Sequence, residues 1–340
     1  MRALLVAGGG PVGLATALYA ARAGLDVAVV EPRDGVIDKA CGEGLMPGAV
    51  AALSDLGVSL AGHPIDGIRY LDGTRTAEAT FRHGPGRGVR RTTLHRALRE
   101  ATETAGVRTE RRAVGRIEDQ GDHLLVDGEP TRYLVAADGL HSPIRRMLGL
   151  DAPVAGPSRY GQRCHVAVAP WTSFVEVHWA PSAEAYVTPV GPDRVGVAVL
   201  TDERRPLADL LGGFPLLAQR LAGHPVEQVR GAGPLRQRAR RRVAGRVLLA
   251  GDASGYVDAL TGEGIALGLA QARAAVAAVR AGEPRRYERE WRRLGWRHEL
   301  LTHGLLAATR NRELRTRLVP AASVLPRVFT AAVNQLARPA

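Results

Sequence analysis

Three glycines near the start of the chain have the spacing of a phosphate-binding turn. They are Gly8, Gly10 and Gly13, in the sequence Gly-Gly-Gly-Pro-Val-Gly. Gly8 permits a tight turn, Gly10 lets the backbone approach a pyrophosphate, and Gly13 allows close packing of a helix on a strand. The N-terminus of the following helix offers free N–H groups and the positive end of its dipole to an anion. The pattern therefore predicts a site for the phosphates of a dinucleotide.

The elements that must position this turn lie on either side of it. Residues 2–7 form an apolar run typical of a buried strand, and a helical pattern runs from Pro11 until Gly24 ends it. A second strand is predicted at 26–30, followed by Glu31. An acidic residue at that point accepts hydrogen bonds from the ribose of an adenosine. This unit predicts a dinucleotide site but does not distinguish NAD from FAD.

Two later segments each place polar residues at the end of a buried strand. The first ends in an Asp-Gly-x-x-Ser-x-x-Arg motif that begins at Asp138, and the second, over 245–250, ends in Gly-Asp-Ala with its carboxylate at Asp252. A carboxylate at the carboxyl edge of a sheet lies where α/β proteins bind ligands, and it accepts strongly from the hydroxyls of a polyol. The segment 261–265 (Thr-Gly-Glu-Gly-Ile) then opens a long helix whose N-terminus stabilises negative charge.

With these motifs in this order, the chain resembles the flavoprotein superfamily of aromatic hydroxylases and geranylgeranyl reductases, which has the para-hydroxybenzoate hydroxylase fold. The resemblance covers essentially the whole chain and implies an FAD-dependent oxidoreductase. It implies that Asp252 holds the ribityl chain and that the Asp138 motif serves both FAD and NAD(P)H. It also implies that Arg91, in a pattern with Leu94 and Leu98, contacts FAD. Helix capping is the alternative role for Asp252 and for Thr261 and Glu263.

The residues expected to contact FAD are spread over most of the chain. They are Gly8, Gly10, Pro11, Val12, Gly13, Glu31, Pro32, Arg33, Cys41, Gly42, Arg91, Val114, Asp138, Gly139, Gly251, Asp252, Ala253, Thr261, Gly262, Glu263, Gly264 and Ile265. The chain contains one fingerprint of this type, so no separate nicotinamide domain is predicted. NAD(P)H then binds transiently, or a partner protein supplies the electrons.

Residues 151–231 alternate with the period of strands, with turn residues between some of the runs. This predicts a mainly antiparallel sheet with one face on a cavity, and the resemblance implies that the sheet covers the flavin and lines the substrate pocket. Each candidate for contact with substrate is otherwise a residue of the sheet or core. The candidates are Arg163, His165, His178, Trp179, Tyr186 and Pro189.

The predicted fold is α/β with α+β elements, in three parts. Residues 1–150 and 232–285 form an FAD-binding domain, 151–231 with part of 50–90 form a substrate-binding sheet domain, and 286–340 form a helical segment. This last segment is interpreted as a lid over the pocket, or alternatively as a contact with a membrane surface. Its apolar residues fall roughly on one stripe, namely Trp291, Leu294, Trp296, Leu300 and Leu301.

Composition excludes several other classes. The net charge of +12 comes from arginine, because Lys39 is the only lysine, and no basic patch is interleaved with aromatic residues as in nucleic-acid binding. The run 236–242 is a solvated loop or a contact for an anionic ligand. The two cysteines form no CxxC and no metal site, which fits a reducing cytoplasm. No apolar stretch is long enough to span a membrane.

Cys41 begins a Cys-Gly-Glu-Gly turn similar to one near the flavin in geranylgeranyl-reductase-like proteins. It either lines the active site, as a candidate catalytic residue, or is a small buried residue beside a turn.

The first interpretation of the whole chain is an NAD(P)H-dependent monooxygenase for an aromatic or polyketide-like molecule. The second is a reductase of isoprenoid double bonds, although Ala259 stands where that branch has proline. The third is a flavoprotein that uses FAD structurally, for instance in a cyclisation.

Overall fold

The computed structural model of the chain describes residues 1–338. The helices in this part are α1 (Pro11–Arg22), α2 (Pro47–Asp55), α3 (Arg91–Thr104), α4 (Pro143–Met147), α5 (Leu207–Leu211), α6 (Pro215–Leu221), α7 (Gly264–Arg280), α8 (Arg286–Arg310), α9 (Arg312–Val324) and α10 (Pro326–Leu336). The strands are β1 (Arg2–Ala7), β2 (Val27–Val30), β3 (Gly44–Leu45), β4 (His63–Ile65), β5 (Gly67–Leu71), β6 (Thr76–Thr80), β7 (Gly86–Gly88), β8 (Arg108–Glu110), β9 (Ile117–Asp119), β10 (Leu124–Val126), β11 (Glu129–Ala136), β12 (Tyr160–Val166), β13 (Phe174–Trp179), β14 (Ala183–Gly191), β15 (Arg194–Thr201), β16 (Arg230–Ala232), β17 (Gln237–Arg238), β18 (Val243–Ala244), β19 (Val247–Leu249) and β20 (Gly255–Tyr256).

The first large sheet is parallel at its centre, where β19, β11, β1, β2 and β8 lie side by side. Alternate residues of β1 pack on opposite faces, with Leu4 and Val6 against α1 and α7, and Leu5 and Ala7 in a second core cluster. Burial on both faces explains why this strand is a continuous apolar run in the sequence. The predicted α/β fold is confirmed, and the strand expected at 245–250 is the shorter β19.

The second large sheet has the strand order β16-β12-β15-β14-β13-β5-β6. Its pairings are antiparallel except for β13 and β5, which run parallel. One face packs against α5 and α6 through Cys164, Val197 and Leu217, and the other carries Val175 and Val177 toward a cavity. The predicted division of the chain into an FAD-binding domain and a sheet domain stays a prediction.

The C-terminal helices pack on the second sheet, where α9 and α10 contact β6. The apolar stripe expected on α8 is wrong: Trp291 is buried, but Trp296 and Leu300 are 53% and 64% exposed. The helix buries a face that includes the small Gly295 and the polar Thr302 instead. Residues 339 and 340 of the predicted segment 286–340 lie outside the described residues. No helix within 1–338 combines the length and apolar character needed to cross a membrane.

Candidate active site

The glycine turn joins β1 to α1, and its geometry requires small residues. Gly8 adopts a φ of +108°, and a Cβ on it would lie 2.3 Å from the carbonyl oxygen of Ala137. A Cβ on Gly13 would lie 1.8 Å from the carbonyl oxygen of Gly8, which would prevent the close approach of helix and strand. Beside Gly10 the nearest atom to such a Cβ is an Arg91 nitrogen, at 4.0 Å. The unpaired N–H groups of the first turn of α1 therefore border an open space.

Glu31, which follows β2, supports the glycine turn. Its carboxylate accepts hydrogen bonds from the N–H of Gly9 and from Nε of Arg33, both at 2.7 Å. Burial acts to raise the pKa of this carboxyl, but the hydrogen bonds from Arg33 and Gly9 outweigh it and leave the pKa below its ordinary value. Glu31 is thus ionised and already hydrogen-bonded within the protein, while the adjacent Pro32 is exposed.

Arg145 joins the Asp-Gly motif to the Gly-Asp-Ala motif. The residue is 1% exposed, and its guanidinium donates to the carbonyl oxygens of Leu140 and Ala253, both at 3.1 Å. It also donates to Oε1 of Gln237 at 2.9 Å and pairs with the Asp151 carboxylate. The two segments that end β11 and β19 are therefore held in one arrangement by a single buried cation.

Three charged side chains meet above the ends of these strands. The carboxylate of Asp252 faces a space enclosed by protein, which raises its pKa, while the charges of Lys39 and Arg91 oppose the rise. Arg91 is buried at the start of α3, and its backbone N–H donates to Glu43 at 2.7 Å. The arrangement places two cations and one carboxylate around the same space.

These groups line one cavity of about 640 Å³. Most residues predicted to contact FAD are in its wall, namely Gly10, Pro11, Val12, Arg33, Cys41, Gly42, Arg91, Asp138, Gly139, Gly251, Asp252, Thr261, Gly262, Gly264 and Ile265. The other predicted residues stand outside the wall, namely Gly8, Gly13, Glu31, Pro32, Val114, Ala253 and Glu263. Val114 packs instead against the core cluster of the first sheet that contains Leu5 and Ala7.

Residues 2–205 match the family model of the FAD-binding domain. The chain belongs to this family. A menaquinone reductase of Mycobacterium tuberculosis is 32% identical over 306 residues, covering 80% of this chain and 75% of the relative. A 3-hydroxy-4-methyl-anthranilyl-[aryl-carrier protein] 5-monooxygenase of Streptosporangium sibiricum is 32% identical over 303 residues, covering 83% and 80%. With such relatives, the protein is an FAD-dependent oxidoreductase.

A third relative has a different kind of name, and a solved structure supports the fold. A dialkyldecalin synthase of Streptomyces rugosporus is 30% identical over 299 residues, covering 79% of this flavoprotein but 63% of the synthase. The crystal structure of a flavoprotein/dehydrogenase from Cytophaga hutchinsonii superposes with a TM-score of 0.84. It covers 97% of this chain and 92% of its own, at 17% identity. That likeness concerns the fold alone.

The residues of the flavoprotein's cavity fit FAD. In the part of the chain that the structure describes, Nη1 of Arg91 and Oδ1 of Asp138 are buried without a hydrogen-bond partner, although both side chains belong to the cavity wall. Buried polar atoms are nearly always hydrogen-bonded, so these two atoms mark places for polar groups of a ligand. Gly10 leaves the neighbouring backbone open to the same space.

The residues predicted to contact substrate also divide into those inside the cavity wall and those outside it. Tyr186 and Arg163 are in the cavity wall. His178 lies on the opposite face of β13 and is 3.1 Å from Glu176. His165 is buried, with Nε2 at 2.7 Å from Glu43. Trp179 and Pro189 are also outside the wall, where Trp179 stacks edge-on with Tyr70 at 5.3 Å between ring centroids.

Three residues of the site were not found from the sequence. Lys39 lines the cavity and is the only lysine of the chain, which is the signal that could have drawn attention to it. Glu43 has a φ of +59° and joins α3 to the second sheet through Arg91 and His165. Tyr70 comes from β5, a strand whose place beside β13 no local pattern reveals.

Proposed function

We propose that this oxidoreductase reduces a carbon–carbon double bond in a long apolar molecule of the isoprenoid type, with NAD(P)H as the source of hydride. The proposal is carried by the part of the cavity wall that comes from four of the strands of the second sheet and from two C-terminal helices, away from Arg163 on β12. Within residues 1–338, strands β5, β13, β14 and β15 and helices α8 and α10 contribute no charged side chain there. They contribute Ile68, Tyr70, Val175, Val177, Tyr186, Thr188, Ala198, Leu200, Leu305, Val333 and Leu336.

Such a wall suits a hydrocarbon chain better than an aromatic acid or phenolate, because a buried charge needs a partner. This favours a reductase over the monooxygenase that was our first interpretation. The name of the menaquinone reductase relative supports the same choice. The monooxygenase relative, at the same identity, keeps oxygen transfer as the second candidate.

The residues that would hold FAD follow from the chemistry of the wall. The glycine turn and the first turn of α1 would bind the pyrophosphate, with the unpaired Arg91 nitrogen beside them. The Asp252 carboxylate would accept from the ribityl hydroxyls. The first turn of α7 would face the negative charge of the reduced ring. Bound FAD would supply two-electron hydride chemistry at this site.

Reduction of a double bond also needs a proton at the second carbon. Cys41 is in the cavity wall, and burial together with the nearby Glu43 raises the pKa of its thiol. The thiol therefore keeps its proton at neutral pH, which suits a proton donor and not a nucleophile. We propose that Cys41 protonates the carbon adjacent to the one that receives hydride, and that solvent returns the proton to Sγ.

The test is incubation of the FAD-loaded protein with NAD(P)H and a polyprenyl quinone, without oxygen and then under isotopically labelled oxygen. A product that has gained two hydrogen atoms on a carbon–carbon bond of the prenyl chain, and keeps them after the quinol ring is reoxidised, supports the reductase. A product that gains one labelled oxygen atom refutes it and supports the monooxygenase. In the FAD-loaded protein, Cys41→Ala should slow reduction, and Cys164→Ala, the other cysteine and outside the cavity wall, is the control.

The structural use of FAD is a third candidate, suggested by the dialkyldecalin synthase relative. It requires no net electron transfer. Turnover of a polyene to a ring isomer of unchanged mass, with no NAD(P)H consumed, would establish this function and exclude both others.

We also propose that the C-terminal helices contact an anionic membrane surface. Residues 286–338 contain eleven arginines and four glutamates, a net charge of +7 out of the chain's +12. At the junction of α9 and α10, Val324, Leu325 and Val328 are 76%, 54% and 62% exposed. Exposed apolar residues near arginines are typical of peripheral binding. Co-sedimentation with phosphatidylglycerol vesicles that is lost in a triple serine variant of these residues would support the proposal, and equal binding to neutral vesicles would refute it.

A further inference from the structure

The residues at the start of α7 face two different environments, the cavity and the protein interior. Thr261, Gly262, Gly264 and Ile265 line the cavity, but the side chain of Glu263 lies outside its wall and is buried. Glu263 is the N-cap residue of α7, yet its side chain makes no capping hydrogen bond. A carboxylate at the N-terminus of a helix is attracted to the unpaired N–H groups there. The Glu263 carboxylate is bound by another group instead.

That group is His298, on α8. Its Nδ1 is 2.6 Å from Oε2 of Glu263, and 3.5 Å from the hydroxyl oxygen of Thr261. Thr302 completes the cluster, with its hydroxyl oxygen 3.3 Å from that of Thr261. Burial raises the pKa of Glu263, and His298 opposes the rise. His298 thus supplies the partner that keeps the Glu263 carboxylate in this position.

We propose that His298 is a positioning residue for the cofactor: by binding Glu263, it leaves the first-turn N–H groups of α7 free to face the reduced flavin. The inference rests on the position of FAD given under the proposed function. Without His298, the Glu263 carboxylate turns to these N–H groups and caps the helix. Its negative charge then lies where the reduced ring carries its own, and like charges at one site disfavour the reduced state.

The test compares His298→Ala with the double variant Glu263→Ala/His298→Ala. In His298→Ala, the affinity for reduced FAD relative to oxidised FAD falls about fivefold, the size of a partly buried helix-terminus interaction. This appears as a lower reduction potential of the bound flavin. The double variant lacks the carboxylate, so its potential returns close to that of the unmodified protein. His303→Ala, an exposed histidine of the same helix, is the control and stays unchanged.

A double variant that is more impaired than His298→Ala would overturn the inference, because a merely structural cluster predicts that order. A second readout uses the FAD-free protein, in which hydrogen exchange of the amides of residues 264–266 is followed by mass spectrometry. Capping by Glu263 slows this exchange in His298→Ala but not in the double variant. Unchanged exchange in His298→Ala overturns the inference itself. Slowed exchange with an unchanged potential shows instead that FAD is not placed at α7, and so refutes the proposed cofactor position.

Discussion

Replacement of Arg145 by methionine removes the side chain that joins the two cofactor motifs. The variant leaves the carbonyl oxygens of Leu140 and Ala253 without their donor, at a cost of about 1–3 kcal/mol for each. Asp151 loses its partner too, but its side chain is 43% exposed and can be hydrated. We therefore expect a loss of about 3 kcal/mol in the free energy of unfolding, near the lower limit for breaking a buried ionic network.

Such a loss is a large part of the total stability of a domain, which is about 5–15 kcal/mol. Urea unfolding of the FAD-free protein measures it, with Arg146→Met as the matched control because Arg146 is exposed and its side chain donates to the carbonyl oxygen of His141. FAD affinity, from quenching of flavin fluorescence, should also fall by at least about tenfold, or ~1.4 kcal/mol. If both variants unfold at the same urea concentration, Arg145 does not hold the two motifs together and the reasoning fails.

Three further predictions concern single positions. Lys39 is the only lysine, so an amine reagent should modify one side chain of the FAD-free protein, and bound FAD should protect that side chain. Equal labelling with and without FAD, measured by mass spectrometry, would show that Lys39 does not contact the cofactor. Gly13→Ala should abolish flavin retention, because its Cβ would lie 1.8 Å from the carbonyl oxygen of Gly8; a purified variant with full flavin absorbance would contradict this. Burial raises the pKa of Asp258 to about 6, so its protonated form favours the folded state below pH 4 and this contribution is lost as the pH rises through 6. The stability of the unmodified protein relative to Asp258→Asn should then decline over that window, by about 3 kcal/mol in all, and parallel stability curves would rule the assignment out.

The parts of the fold that local sequence determines were predictable. β1, α1 and β2 follow from an apolar run, a helical pattern and the glycines between them, because each of these signals acts within a few residues. The short strands β3, β4 and β7 were not predictable, since two or three residues carry no periodicity and these strands form a separate small sheet, in which β7 pairs with both β3 and β4. The buried face of α8 was also predicted wrongly, because burial depends on tertiary contacts. Gly295 and Thr302 are buried, whereas Trp296 is exposed.

Residue types in the site were easier to predict than the directions of their side chains. Motifs placed Asp138, Asp252 and Arg91 in one region, and the structure brings them to one cavity. Glu263 and His165 are near it but turn toward partners that are far away in the sequence, His298 and Glu43. A sequence shows that a carboxylate is present at a helix start, but not which distant element will bind it.

The parallel pairing of the first sheet has a consequence for how the chain folds during its synthesis. β1 pairs with β11, and β11 with β19, so strands more than a hundred residues apart must meet before the cavity exists. The parallel pair of β5 and β13 adds a similar separation. Contacts of such sequence separation form slowly, and apolar strands without neighbours aggregate. On the ribosome, the glycine turn emerges long before Asp252, so the nascent protein passes through a long stage in which the cofactor cavity is incomplete.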